Sequence, residues 1–133
     1  MENKIIQNVQ NSFQSVLPIS AQAAAIFYSK LFEKDPSLQP LFKGDMKEQG
    51  KKLMMMLSMA VNSLTNMQSL VPVLENLGKR HLAYGVSDEM YDTVGTALIE
   101  TLETGLGESF TEDIKSSWVA VYTQIASIMK NAA

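Results

Sequence analysis

The residues Leu70-Val71-Pro72-Val73-Leu74-Glu75-Asn76-Leu77-Gly78-Lys79-Arg80-His81-Leu82-Ala83-Tyr84-Gly85 bring Leu74, Leu77, His81 and Tyr84 to one side of a helix, through steps of three and four. The spacing predicts a helix from about Leu70 to Ala83, with Gly85 as its stop signal. A histidine thus lies on an otherwise apolar stripe, one turn after Leu77, and it is the single histidine of the chain. Two readings are open for it. One is a core histidine whose ring nitrogens are satisfied by neighbours. The other is a neutral imidazole that donates to a metal.

The rest of the chain narrows the second reading. There are no cysteines, which removes disulfides, thiolate metal sites, iron–sulfur clusters and a cysteine nucleophile. One histidine cannot hold zinc without help, because zinc sites take three or four protein ligands. It can hold haem iron, because the porphyrin supplies the other four nitrogens.

Outward from this segment the apolar spacing stays helical nearly throughout. A first helix is predicted from about Asn3 to Leu17, stopped at Pro18, and a second from Ser20 to Asp35 with Ala24, Phe27 and Leu31 on one side. Pro36 suits the first turn of a short helix to Leu41. After a break at Gly44, a helix from about Lys47 to Leu64 aligns Leu53, Leu57, Ala60, Val61 and Leu64. Ser87-Asp88-Glu89 resembles a capped, acidic helix start, reaching to about Leu106. A last helix runs from about Thr111 to Lys130 and carries Trp118. Glycines and prolines are expected to cluster at the turns between helices. No segment reads as a strand, so the fold class is all-α.

The 133 residues suit one domain over 1–133. With 46% hydrophobic and 19% charged residues, the chain can form a full core and is not expected to be disordered. A formal net charge of −3 argues against nucleic-acid binding, and the pair Lys51–Lys52 is too small to reverse that. The start Met1-Glu2-Asn3-Lys4-Ile5-Ile6-Gln7 lacks the apolar run of a signal peptide, and no stretch approaches ~20 apolar residues. A cytoplasmic protein with no membrane or nucleic-acid partner is expected.

Two further polar residues sit beside apolar stripes. Gln49, one turn before Leu53, reads by itself as an ordinary solvated glutamine near a helix start. Tyr28, next to Phe27, reads as an amphipathic core tyrosine. Met54-Met55-Met56 with Met59 reads as adaptable core packing rather than as iron ligands.

Together these segments resemble the globin family across essentially the whole chain. Phe27-Tyr28-Ser29-Lys30-Leu31-Phe32 and Asp35-Pro36-Ser37-Leu38-Gln39-Pro40-Leu41-Phe42 are similar to the end of globin helix B, helix C and the following corner. Gln49-Gly50-Lys51-Lys52-Leu53 is similar to the distal part of helix E, and Leu77-Gly78-Lys79-Arg80-His81 to helix F. Trp118 and Tyr122 fit the final helix. Within the family the likeness is to bacterial single-domain globins, the group allied to flavohaemoglobins and neuroglobin.

The resemblance implies a 3-on-3 sandwich of helices A, B, C, E, F, G and H with little or no helix D. It also implies haem b held by His81 as proximal ligand, with Phe42 packed on the haem. Tyr28, Gln49 and Leu53 would face the gas-binding side. Lys52, Leu77, Arg80, Tyr91 and Val94 would complete the haem site, with Lys52 or Arg80 reaching a propionate. The implied ligands are O2, NO and CO, in a monomer or weak homodimer.

Two departures from the relatives matter. Gln49 stands where neuroglobin has a histidine, so a bis-histidine haem is not expected. Tyr91 matches the proximal tyrosine of flavohaemoglobins, but the sequence ends before the glutamate that partners it there, and it contains no flavin or nicotinamide domain. The first expectation is therefore reversible O2 binding. The second is NO dioxygenase activity with a reductase supplied by a separate protein, and the third is a haem-free regulatory domain.

Overall fold

A computed structural model describes residues 2–42 and 44–132. Six α-helices occur among them: α1 (Asn3–Val16), α2 (Ser20–Lys34), α3 (Met46–Asn62), α4 (Met67–Ala83), α5 (Asp88–Leu106) and α6 (Glu112–Ala132). Short 3-10 turns cover Leu17–Ile19, Pro36–Leu41 and Gly107–Ser109. No strand is present among the described residues. Asp35 opens the Pro36 turn by accepting from the Ser37 amide at 3.1 Å, and Asp45 caps α3 by accepting from the Lys47 amide at 2.9 Å. The described residues between Leu41 and Met46 form no helix, as expected of a fold with little or no helix D.

The expected helices are all present, with no end displaced by more than three residues. The largest displacement is in α4, which begins at Met67 rather than Leu70 because the Asn66 carbonyl accepts from both the Ser69 and Leu70 amides. Pro72 therefore lies inside a helix and not at a turn, correcting the expectation that prolines mark the connections. Proline has no N–H for the carbonyl four residues back. Here that carbonyl belongs to Gln68, and both residues are exposed, so water can serve it.

Glycines inside helices correct the same expectation, and their reason is packing. Gly50 of α3 is buried with the Ala24 Cβ of α2 only 3.0 Å from where its own Cβ would sit. Gly95 of α5 lies under the Tyr122 ring of α6, 2.6 Å from a built Cβ. Gly78 of α4 lies on the Met129 backbone of α6, where a Cβ would strike the carbonyl oxygen. Gly78 lets α4 and α6 cross at backbone distance, whereas Gly50 and Gly95 make room for a side-chain atom of the facing helix.

α1 packs on α6, α2 on both α3 and α5, α4 on α6, and α5 beside α6. The result is a layer of α1, α3 and α4 over a layer of α2, α5 and α6. α3 and α4 are not closely packed on each other. The core runs from Phe13 and Trp118, rings 6.1 Å apart, through Leu31, Leu64, Leu70 and Leu74. The buried Trp118 indole N–H donates to Ser12 Oγ at 2.8 Å, and Ser12 in turn donates to the Asn8 carbonyl at 2.7 Å. A polar chain thus crosses the α1–α6 contact fully satisfied.

Candidate functional site

Between α3 and α4, where the two helices stand apart, lies a cavity of about 170 Å³. Leu53, Met56 and Leu57 of α3 face it from one side, and Leu74, Leu77 and His81 of α4 from the other. Its floor comes from α5 and α6, including Tyr91, Val94, Leu98, Trp118 and Met129. Leu53, Leu57 and Leu77 are only half-buried, so the core opens to solvent along this slot.

His81 is held at its wall by its own helix. Nδ1 lies 2.7 Å from the Leu77 carbonyl oxygen. A carbonyl only accepts, so in the neutral ring Nδ1 carries the proton and Nε2 keeps its lone pair. The following turn supports this end of α4. Gly85 adopts φ +91°, a conformation that disfavours residues with a Cβ. The Val86 amide then reaches the His81 carbonyl at 3.0 Å, and Val86 joins the cavity wall. The Tyr91 ring lies 6.3 Å from the imidazole.

Five of the expected site residues thus line one cavity: Leu53, Leu77, His81, Tyr91 and Val94. Tyr28, Phe42 and Gln49 do not line it but gather next to it. Tyr28 packs edge-on against Phe42 at 5.3 Å and stacks on Phe32 at 5.9 Å. Its hydroxyl donates to the Gln49 backbone carbonyl at 3.3 Å. Phe27 joins the two groups, since it lines the cavity and meets Tyr28 edge-on at 5.2 Å. Lys52 and Arg80 are exposed, each one residue from a cavity residue. Val86, Trp118 and Met129 are cavity residues without a polar sequence signal. Of the methionine run, Met56 faces the cavity, Met54 and Met59 pack on the core, and Met55 is exposed.

Burial shapes the tyrosines. Desolvation pushes the Tyr28 hydroxyl up to about 12, so it is a proton donor at any ordinary pH. Burial, followed by the Tyr91 and Asp92 charges, raises Tyr122, whose hydroxyl donates to the Tyr91 carbonyl at 2.5 Å. Burial, followed by Asp88, raises Tyr91, and the Lys130 ammonium stands 5.6 Å from the centre of its ring. These shifts predict alkaline sensitivity. Below pH 10 the folded and unfolded chains hold the same phenol protons. As pH rises from about 10 to 12 the unfolded chain loses protons that folded Tyr28 retains, so stability falls. Denaturant midpoints measured from pH 8 to 11.5 should be flat at first and then drop, and Tyr28→Phe should shrink the drop.

The donor set can be tested against candidate metal groups. No cluster of three or more His, Cys, Asp or Glu able to hold a metal ion occurs among the described residues. A lone imidazole with one nitrogen anchored and the other available, at the wall of an apolar slot, fits a macrocycle that brings its own equatorial ligands. At about 170 Å³ the cavity is below the ~300–1,000 Å³ of small-molecule sites, so a macrocycle would part α3 from α4 at their half-buried faces.

The globin family profile matches residues 25–129. The chain belongs to the globin family. Among curated relatives, neuroglobin of Danio rerio is 28% identical over 135 residues, which cover 91% of this chain and 85% of that protein. Neuroglobin of Dissostichus mawsoni is 27% identical with the same coverage. A bacterial globin from Campylobacter jejuni superposes with a TM-score of 0.85 at 23% identity, covering 98% of this globin and 95% of that chain. An engineered carbene transferase, derived from a candidate nitric oxide dioxygenase of Rhodothermus marinus, gives 0.88 at 24% identity, over 98% and 92%. At those identities the two structures establish that this globin has the globin fold. Family membership implies haem binding, and the α3–α4 slot is the part of this globin whose chemistry fits it. No helix among the described residues is long and apolar enough to cross a membrane.

Proposed function

We propose that this globin holds haem b between α3 and α4, with His81 Nε2 as the protein ligand to iron, and binds O2 reversibly. The observation that carries the proposal is the Nδ1 contact of His81 with the Leu77 carbonyl at 2.7 Å, which holds the ring and leaves Nε2 as the nitrogen outside that bond, in a residue that lines the cavity. The bound group supplies reversible coordination of O2, NO or CO. The chain supplies the rest. Leu77 and Leu53 border the slot from opposite helices, Phe27 links it to the Tyr28–Phe42 group, and Lys52 and Arg80 offer cations to propionates at its rim. Apolar walls would exclude water and so limit proton delivery to a bound ligand.

Tyr28 and Gln49 are the donors for a polarised diatomic ligand. The hydroxyl of Tyr28 makes only a long 3.3 Å bond to the Gln49 carbonyl, so little is lost when it turns to a better acceptor. A hydrogen bond to a charged acceptor contributes roughly 1.5–3 kcal/mol, about tenfold to a hundredfold in affinity. Tyr28→Phe is therefore expected to speed O2 dissociation at least several-fold in stopped-flow measurements while leaving CO release little changed, because CO carries less charge. An unchanged O2 off-rate would remove Tyr28 from this role.

A second reading is favoured by the fold likeness to the Rhodothermus marinus protein. In it O2, NO and one electron yield nitrate, with a separate reductase renewing the ferrous state. Steady-state NO consumption with an added electron donor separates the two. A single turnover does not.

A further inference from the structure

The last turn of α6 brings a cation close to His81. Gly78 of α4 lies on the Met129 backbone, so the two helices meet beside Lys130 and about one turn before the imidazole. The Lys130 ammonium stands 5.6 Å from the centre of the Tyr91 ring, within the range of a cation–π contact. That ring in turn lies 6.3 Å from the imidazole. No carboxylate among the described residues forms an ion pair with Lys130. The ring and the carbonyl end of α6, where a cation is favoured, hold it instead. Other charges stand near this end of the site: Asp88 acts on Tyr91, Asp92 acts on Tyr122, and Lys79 and Arg80 precede His81. All four are exposed, whereas Lys130 is half-buried. Solvent and salt therefore screen Lys130 less than the others.

We propose that Lys130 sets the redox balance of the site: its ammonium, carried on the Tyr91 ring beside His81, favours the ferrous iron that binds O2 over the ferric form. The inference rests on the haem-binding reading of His81. Loss of one electron adds one positive charge at the iron, and a fixed cation nearby makes that charge costlier. Lys130 touches neither iron nor gas and acts through the Tyr91 ring and the field at the imidazole, as a positioning residue. The two ring distances together put the ammonium within about 12 Å of the imidazole, where a unit charge at an effective dielectric constant of ~20 shifts an equilibrium by about tenfold. The ammonium is partly in solvent, so about threefold is expected. The position of the cation depends on the α4–α6 crossing, since Met129 on Gly78 fixes where the next residue of α6 stands.

The test is a spectroelectrochemical titration of haem-loaded protein, comparing midpoint potentials of the wild type and its variants in one buffer. Lys130→Met keeps an unbranched chain without the charge. It should move the equilibrium toward ferric iron by about threefold at fixed potential, a fall in midpoint of roughly 28 mV at 59 mV per tenfold. Lys130→Glu reverses the charge and should fall about twice as far. Lys130→Arg keeps the charge and should hold the wild-type midpoint. Lys115→Met removes a cation elsewhere on α6, on the side of Glu103, and should leave the midpoint unchanged. A purely structural role for the side chain would instead make Lys130→Glu resemble Lys130→Met and would deny rescue by arginine. A Lys130→Met midpoint equal to the wild type, a Lys130→Arg midpoint as low as that of Lys130→Met, or an equal fall in Lys115→Met would overturn the inference. Any of these with a Soret band that depends on His81 overturns this inference alone, whereas no Soret band at all overturns the haem reading with it.

Discussion

His81→Ala is expected to abolish stable haem retention, seen as loss of the Soret band from protein purified and then reconstituted beside the wild type. The chain offers no other histidine and no cysteine, and no alternative metal cluster exists among the described residues. Haem affinity should fall by more than about a hundredfold, about 2.7 kcal/mol. The fold should survive, because the side chain is only half-buried and alanine suits a helix. Far-ultraviolet circular dichroism should accordingly be unchanged, and millimolar imidazole should restore part of the Soret band by filling the space the ring left. A variant that keeps its full Soret band would place the iron ligand elsewhere and refute the proposed site.

Gly78→Ala is expected to produce the largest loss of stability among single methyl additions. The new Cβ would fall on the Met129 carbonyl oxygen, and 2.8 Å from that residue's carbonyl carbon and Cα. All three are backbone atoms of α6, so relief requires α4 to move away from α6. Overpacking typically costs about 1–3 kcal/mol and sometimes more. Alanine returns up to ~1 kcal/mol of helix propensity, but α4 also carries His81, so its displacement disturbs the cavity too. A fall in Tm of roughly 5–10 °C is expected, with haem retention weakened in parallel. Gly95→Ala meets a side chain instead, the Tyr122 ring at 2.6 Å. That ring can give way slightly, although its hydroxyl is tied to the Tyr91 carbonyl, so the loss should be smaller. Equal Tm values for Gly78→Ala and wild type would show that α4 and α6 do not cross as closely as described.

Much of this was legible along the chain because it is local. The stripe of Leu74, Leu77 and His81 follows from the helical period alone, and the anchoring of the imidazole follows from it in part. A histidine four residues after Leu77 in a helix has the Leu77 carbonyl within reach, and packing against Tyr84 and Tyr91 then selects the rotamer that bonds it. Ends of helices were less legible. Prolines were expected at the turns, yet Pro72 lies inside α4, where the cost is small because the stranded Gln68 carbonyl belongs to an exposed residue. The glycines of α3, α4 and α5 were expected at turns, because nothing local reveals what lies across the helix contact.

The distal residues show the same division. Their identities, Tyr28, Phe42 and Gln49, stand in the sequence, but the bond from the Tyr28 hydroxyl to the Gln49 backbone carbonyl joins residues 21 apart and depends on how α2 crosses α3 at Gly50. Trp118, Val86 and Met129 carry no polar signal that would mark them as cavity residues. By itself the sequence determined the all-α class, the family likeness and the single available imidazole, since composition and a 3.6-residue period are properties of the chain. Only the tertiary structure decided that α3 and α4 stand apart while α4 closes on α6 through Gly78. Helix separation is set by side-chain volume at the crossing points, and those points are known only once the helices have packed.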